Sequence, residues 1–258
     1  MSTNLSHTIR RFNRFELKYL LTLQQAEIFK KALRAYLLND EHCQGHYGLA
    51  SLYYDSPDFR CYWEKVDGIR FRRKLRIRRY ETPGIMLTAD TPVFVEIKQR
   101  VDRVTQKRRV ILSYGEALRL CNQRQYPEQI DPADEAIVNE IYAFLWQYNL
   151  HPASIVRYER QAFIGTDYDL GLRVTFDTAL SYQVHQLRLE EDTSTTLPMI
   201  SPDRTVMEIK VNERIPYWLT EMIAAYNLKM IRISKYCRSI ELANGNANTF
   251  SRLALVSQ

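Results

Sequence analysis

Apolar and polar residues alternate in several short stretches of the chain, and this pattern predicts β-strands because successive side chains of a strand point to opposite faces. The predicted strands are 14–20, 49–55, 69–80, 93–99, 106–112, 155–165, 170–178 and 206–211. An Asp67-Gly68 turn precedes the third, and Asp102 lies at the turn of a hairpin that joins the fourth and fifth.

Helical patterns stand between these strands. Thr22, Ser113 and Ser234 are residue types that cap helices, and Asp131-Pro132 combines a cap with proline at the first helical position. The predicted helices are 24–38, 114–122, 131–149 and 216–226, with a short one after Ser234. Because strands and helices do not alternate regularly, an antiparallel α+β fold or a barrel is favoured over a parallel sheet.

The strand 69–80 carries a row of cations on one face. The row consists of Arg70, Arg72, Lys74, Arg76 and Arg78. Neighbours on that face lie about 6.6 Å apart and repel by about 2.5 kcal/mol at an effective dielectric constant near 20. Such a row needs either full solvation or an anion with many charges.

Composition limits the classes of protein that fit this chain. The 258 residues contain no Gly/Ser linker, so we expect one domain, 1–258, with a flexible tail at 245–258, and the net charge of +6 is compatible with an anionic partner. The four cysteines are far apart, which indicates a reduced chain without a structural zinc site. With neither a secretory signal nor an apolar stretch long enough to cross a bilayer, we expect a cytoplasmic protein.

Three predicted strands repeat a Glu-x-Lys triplet, at residues 16–18, 96–98 and 208–210. In each triplet Glu and Lys share one face, and an apolar residue occupies the other. Ion pairing on a solvated sheet face explains any single triplet. If the sheet curls, however, the triplets and the cationic row converge around an anion, where arginine matches phosphate oxygens. The carboxylates would then hold the cations or bind Mg²⁺ or Mn²⁺. Asp55 and Asp177 are possible second metal ligands, with structural roles in turns or hairpins as the alternative.

Seven segments in order identify a family resemblance. They are RFELKY at 14–19, SLYYD at 51–55, KLRIR at 74–78, FVEIK at 94–98, YERQAF at 158–163, VMEIK at 206–210 and SKY at 234–236. Over about residues 10–242 the chain resembles the VTC domain, the polyphosphate polymerase domain of the triphosphate tunnel metalloenzyme superfamily.

The resemblance implies an antiparallel eight-stranded β-barrel with flanking helices, a triphosphate tunnel. It implies transfer of the terminal phosphate of ATP to growing polyphosphate with Mn²⁺ or Mg²⁺, and Glu208 as the metal ligand. The implied phosphate-binding catalytic residues are Lys18, Arg76, Arg78, Lys98, Arg160, Arg173 and Lys235. Further substrate-binding candidates are Lys74, Lys107, Arg109, Lys210 and Arg232. Either Lys107 or Arg109 fits the position that follows the 93–99 strand.

Two other functions stay open, and a third is disfavoured. A tunnel triphosphatase would use water as acceptor, but Arg14 stands where such enzymes would have a further glutamate. A non-catalytic polyphosphate-binding domain would keep the cations and lose the metal. Nucleic-acid binding is not expected, since the apolar residues of the basic strand lie mostly opposite its cations and stacking cannot combine with charge.

Overall fold

The computed structural model describes residues 15–40, 45–81, 84–102, 104–166, 169–190, 196–212 and 214–245. Arg14 and the tail beyond Gly245 lie outside the described residues. No helix in these ranges is long and apolar enough to cross a membrane.

The eight predicted strands all form, within one antiparallel sheet that also contains three short additional strands. The strands are β1 (Phe15–Thr22), β2 (Leu37–Asn39), β3 (His46–Asp55), β4 (Phe71–Glu81), β5 (Pro92–Val101), β6 (Val104–Ser113), β7 (His151–Gly165), β8 (Arg173–Gln183), β9 (Leu197–Pro198), β10 (Arg204–Val211) and β11 (Met230–Ile231). Their order is β11-β1-β10-β8-β7-β3-β4-β5-β6, while β2 pairs with β7 and β9 with β8.

The expected eight-stranded closed barrel is therefore wrong. The sheet has eleven strands, and within the described ranges no backbone pairing joins β6 at one edge to β11 at the other. Alternation predicts a strand and its two faces, whereas closure depends on how far the twisted sheet coils. The α+β class and the flanking helices are confirmed.

The helices are α1 (Leu23–Leu33), α2 (Arg60–Val66), α3 (Tyr114–Gln123), α4 (Glu135–Gln147), α5 (Tyr217–Ala225) and α6 (Lys235–Ala243). Thr22, Ser113 and Ser234 accept backbone hydrogen bonds at the starts of α1, α3 and α6, as their residue types predicted. The start predicted at Asp131 is wrong, because this side chain accepts from the Ala133 amide in a preceding turn. Helix α1 ends before 38, since 37–39 pair with β7 instead.

Helices cover the outer face of the sheet and bury its apolar side chains. The α3–α4 pair packs on Leu75, Ile77 and Ile97, and α1 with α5 packs on Met207 and Ile209. Each of these five side chains is fully buried. This packing directs the alternate, charged side chains of the same strands to the opposite face.

One cation of the basic strand lies on the outer face without a charged partner among the described residues. The Arg73 guanidinium lies 4.2 Å from the centre of the Phe144 ring and donates to the Gln147 side chain at 3.2 Å. The planar guanidinium packs against the Phe144 ring on α4 as a cation–π contact. The interruption of the apolar pattern at this position is therefore compatible with packing.

Candidate functional site

Two of the Glu-x-Lys triplets lie on adjacent strands and pair with each other. In the β1–β10 register Lys18 lies opposite Glu208 and Glu16 opposite Lys210. The Lys18 ammonium is 2.9 Å from Glu16 and 3.7 Å from Glu208, and Lys210 is 3.2 Å from Glu208. The two strands thus present a mixed cluster of charges on the face opposite α1, α3, α4 and α5, which we call the concave face; α6 packs on part of this face, where Tyr236 stacks on Tyr53.

The third triplet, on β5, contacts cations of the basic strand β4 and of β6. Glu96 is 2% exposed and accepts from Arg76 Nε at 2.8 Å, and Lys107 lies 3.3 Å from it. Burial would raise the pKa of Glu96, but Arg76 and Lys107 lower it far below the usual carboxyl range. The carboxylate stays ionised and orients the two cations.

The next arginine along β4 has neutral partners. Arg78 donates to the Ser51 hydroxyl at 3.0 Å and to the Tyr158 hydroxyl at 2.9 Å. Within the described ranges no carboxylate forms an ion pair with it. Its guanidinium is therefore positioned by hydroxyls while its charge is available to an anion.

Two tyrosines that sequence reasoning missed belong to this region. Tyr158 contacts Arg78, and the Tyr53 hydroxyl accepts from Arg76 at 3.0 Å. Burial opposes ionisation of Tyr53, yet the guanidinium groups of Arg76 and Arg78 lower its pKa to about 8. The signal was present in the sequence, since Ser51 and Tyr53 alternate onto one face of their strand.

A fully buried carboxylate joins two further predicted cations. Asp177 accepts from Arg160 at 2.6 and 2.8 Å and from the Lys235 ammonium at 2.5 Å. Burial would raise the pKa of Asp177, but Arg160 and Lys235 lower it far below the usual carboxyl range. Because Asp177 is fully buried and accepts hydrogen bonds from two cations, it acts here as a positioning residue.

Asp55 also has a local structural role. It accepts from the amides of Ser56, Cys61 and Tyr62 at 2.7 to 3.0 Å, and from the Tyr236 hydroxyl. These bonds fasten α2 and α6 to the end of β3. The side chain is 1% exposed and its oxygens are occupied.

The remaining predicted cations approach the concave face from several directions. Lys98 donates to Glu16 at 2.9 Å, and Arg173 donates to Asp40 at 2.6 Å and to the Tyr47 hydroxyl at 2.8 Å. Lys74 reaches α6, where it contacts the Ser234 hydroxyl at 3.0 Å and the Cys237 sulfur at 2.9 Å.

Lys107 and Arg109 of β6 both lie on the same face as Glu96. Lys107 bonds to Glu96, while Arg109 lies opposite Glu96 in the register with its guanidinium 4.5 Å from the Phe94 ring centre. Arg232 differs from the other candidates. Its side chain is exposed and forms no hydrogen bond or ion pair within the described ranges.

The donor set fits a divalent ion that takes most of its ligands from phosphate. Within the described ranges no three Asp, Glu, His or Cys side chains form a metal-binding group. Glu16 and Glu208 nevertheless interact with one another and share Lys18. Mg²⁺ is commonly held by one or two carboxylates together with phosphate oxygens and water, and this pair suits that arrangement.

The concave face therefore carries an excess of positive charge. Its basic side chains are Lys18, Lys74, Arg76, Arg78, Lys98, Lys107, Arg109, Arg160, Arg173, Lys210 and Lys235. They outnumber their carboxylate partners, which are Glu16, Asp40, Glu96, Asp177 and Glu208. Partly desolvated cations in such excess favour a ligand with several negative charges.

Solved structures with a similar fold come from distant proteins. A candidate adenylyl cyclase from Hippeastrum with a dominant triphosphatase activity matches with a TM-score of 0.51 and 13% identity, over 88% of this chain and 94% of that chain. A candidate adenylate cyclase from Bacillus halodurans matches with a TM-score of 0.48 and 12% identity, over 86% and 95% of the two chains.

Sequence comparison gives a more specific result. No curated protein matches this chain significantly. The family model of the VTC domain, however, matches residues 13–244, nearly the whole chain, and so confirms the resemblance that the seven segments indicated. The chain belongs to the VTC domain family.

Proposed function

We propose that the protein binds the phosphate tail of ATP on its concave face and transfers the terminal phosphate to a growing polyphosphate chain. The observation that carries this proposal is the environment of Arg78. Its guanidinium is partly buried, lies beside Arg76 and has the hydroxyls of Ser51 and Tyr158 as partners. A planar guanidinium positioned in this way can donate two parallel hydrogen bonds to two oxygens of one phosphate.

The surrounding charges suit the reaction as well as binding. Phosphoryl transfer needs positioning and stabilisation of negative charge more than covalent help from the protein. Arg76 is oriented by Glu96, and Arg160 and Lys235 are oriented by Asp177, so little reorganisation is needed when charge develops. Fixed cations of this kind lower the barrier to phosphoryl transfer because folding has already oriented them.

Glu16 and Glu208 would hold the divalent ion, Mg²⁺ or Mn²⁺. When bound, such an ion neutralises phosphate oxygens and polarises the phosphorus centre. Lys18 lies between the two carboxylates and keeps them together. Burial opposes ionisation of Glu16, but Lys18 and Lys98 lower its pKa well below the usual value.

A tunnel triphosphatase is the second candidate, because the same cations would bind a triphosphate with water as the acceptor. The Hippeastrum protein of similar fold has a dominant triphosphatase activity. The two functions differ in their products, polyphosphate or free phosphate.

The decisive experiment incubates purified protein with ATP and Mn²⁺ and separates the products on a gel while free phosphate is measured. A ladder of polyphosphate supports the polymerase, and phosphate alone supports the triphosphatase. Arg78→Gln should lower either activity about 100-fold or more, the effect expected when a charge-stabilising donor is lost. Lys31→Gln, an exposed change on α1, is the matched control. Absence of both products overturns the enzymatic proposal.

A further inference from the structure

A second group of cations lies beyond the site described above. It consists of Lys65 on α2, Arg72 on β4 and Arg100 on β5, and we call it the mouth cluster. In the β4–β5 register Arg72 and Arg100 are directly opposite one another. Like charges in that position destabilise a sheet, so the arrangement requires a compensating partner or a function.

Within the described residues, no carboxylate forms an ion pair with the mouth cluster. Arg72 donates to the Ile69 carbonyl at 2.7 Å, and Arg100 donates to the Asp102 carbonyl at 2.9 Å. The charge of the Glu64 carboxylate acts on Arg72. That carboxylate accepts from the Tyr148 hydroxyl at 2.8 Å and lies 3.4 Å from Arg60.

The three cations act on each other electrostatically. Burial lowers the pKa of Lys65, and the charges of Arg72, Lys74 and Arg100 lower it further, against the effect of Cys237. Burial likewise lowers the pKa of Arg72, with Arg100 adding to the effect. Charged side chains that disfavour one another's charge are relieved by an anion placed among them.

The mouth cluster continues the cationic row of the concave face. One step inward on the same faces of β4 and β5, Lys74 lies opposite Lys98, and one step further Arg76 lies opposite Glu96. Exposure increases outward along β5, since Glu96 is buried whereas Arg100 is exposed. A line of cations therefore runs from the buried phosphate site to solvent, in steps of about 6.6 Å.

We infer that Lys65, Arg72 and Arg100 form a separate subsite for a linear polyphosphate, which holds the part of the chain that extends out of the concave face. The inference rests on the proposed function. A single triphosphate fills only the inner cations, whereas a longer chain reaches both groups. A polyphosphate fits better than a nucleic acid, because the aromatic Phe71 of this strand segment alternates onto the opposite face and offers no stacking beside the cations.

The test compares the binding of tripolyphosphate and of polyphosphate several tens of units long by calorimetry. The variant is Arg72→Gln/Arg100→Gln, and the control is Lys31→Gln/Lys229→Gln, which removes two exposed cations elsewhere. We expect the first variant to lose about tenfold in affinity for the long chain while tripolyphosphate affinity is unchanged. Its affinity should also depend less steeply on salt, because fewer counterions are released.

A folding defect would be recognised by a lower melting temperature without ligand, whereas removal of like charges should not lower it. Lys65→Gln on α2 is the second variant, with an expected loss of about threefold for the long chain only. Unchanged long-chain affinity in both variants, or an equal loss for both ligands, overturns the inference.

Failure of the inference is distinguishable from failure of the proposed function. If the unmodified protein binds neither tripolyphosphate nor the long chain, the proposed function fails. If it binds both and the variants match it, only the mouth cluster assignment fails. An RNA oligomer of equal charge that competes as strongly as polyphosphate, with equal sensitivity to Arg72→Gln/Arg100→Gln, overturns the assignment to polyphosphate.

Discussion

Lys98 donates a 2.9 Å hydrogen bond to Glu16, although five strands separate β5 from β1 in the sheet. Two residues so distant in strand order can meet only if the sheet coils around the face that carries them. This contact therefore shows that the charged side chains surround a common space, even though no backbone pairing closes the sheet in the part of the chain that the structure describes. It also joins two of the three Glu-x-Lys triplets.

The Lys98–Glu16 contact should be measurable as a coupling in stability. Lys98→Met and Glu16→Gln, alone and together, define a double-mutant cycle by urea denaturation. We expect a coupling of about 0.5–1 kcal/mol, at the upper end for partly exposed ion pairs because Glu16 is mostly buried. A coupling of zero would mean that β5 and β1 do not approach one another in solution.

Asp177 should matter strongly for folding. Asp177→Asn leaves the buried charges of Arg160 and Lys235 without their anionic partner, at a cost of about 3–5 kcal/mol in the free energy of unfolding. Asp203→Asn, at an exposed position, is the control and should change stability by less than about 0.5 kcal/mol. Equal stability of the two variants would contradict the described network.

Acid should weaken the same network. The pKa of Asp177 is lower in the folded state than in the unfolded state, so its contribution is fully present above about pH 4 and is lost as the pH falls through the folded-state pKa. Asp177→Asn should therefore lose less stability on acidification than the unmodified protein. Denaturation midpoints measured from pH 6 to pH 3 test this, and parallel curves would refute it.

Affinity for tripolyphosphate should fall as the pH rises through about 8. Burial and the neighbouring Arg109 and Arg76 lower the pKa of Lys107 to about 8, against the effect of Glu96, and the pKa of Tyr53 is also about 8. Above that pH Lys107 loses a positive charge and Tyr53 gains a negative one, and both changes disfavour an anion.

Two conservative variants separate these contributions. Lys107→Arg keeps its charge at high pH, and Tyr53→Phe cannot ionise. The double variant should lose less affinity between pH 7 and pH 9 than the unmodified protein, which loses about tenfold. Burial also lowers the pKa of Lys210 to about 7, against the effect of Glu208 and Glu16, so the loss of its charge remains in both proteins. Calorimetry at constant ionic strength is the measurement, and an unaltered pH profile in the double variant would remove both residues from the explanation.

Asp55 should contribute to stability and not to anion binding. Asp55→Ala removes the acceptor for three amides and the Tyr236 hydroxyl, with an expected cost of about 2–4 kcal/mol. Because this side chain fastens α2 and α6 and points to no phosphate-binding cation, the folded variant should keep its tripolyphosphate affinity. A selective loss of affinity with stability intact would reassign Asp55 to the site.

Local patterns predicted much of this molecule. Alternation placed the strands and assigned Arg76, Arg78 and Lys98 to the polar face, and the residue types of Thr22 and Ser113 predicted their caps. Alternation could also have indicated Tyr53, since it shares a face of its strand with Ser51. These features depend on backbone geometry within a few residues, which the sequence determines directly.

The tertiary structure decided what the charged residues meet. Only the coiling of the sheet brings Glu16 to Lys98, and only the position of α6 brings Lys235 to Asp177. The open, eleven-stranded sheet and the opposition of Arg72 and Arg100 were likewise settled by long-range pairing. Alternation assigns a side chain to one face of its strand. Which side chains it then contacts depends on the register and twist of many strands together, and no single segment of sequence determines these.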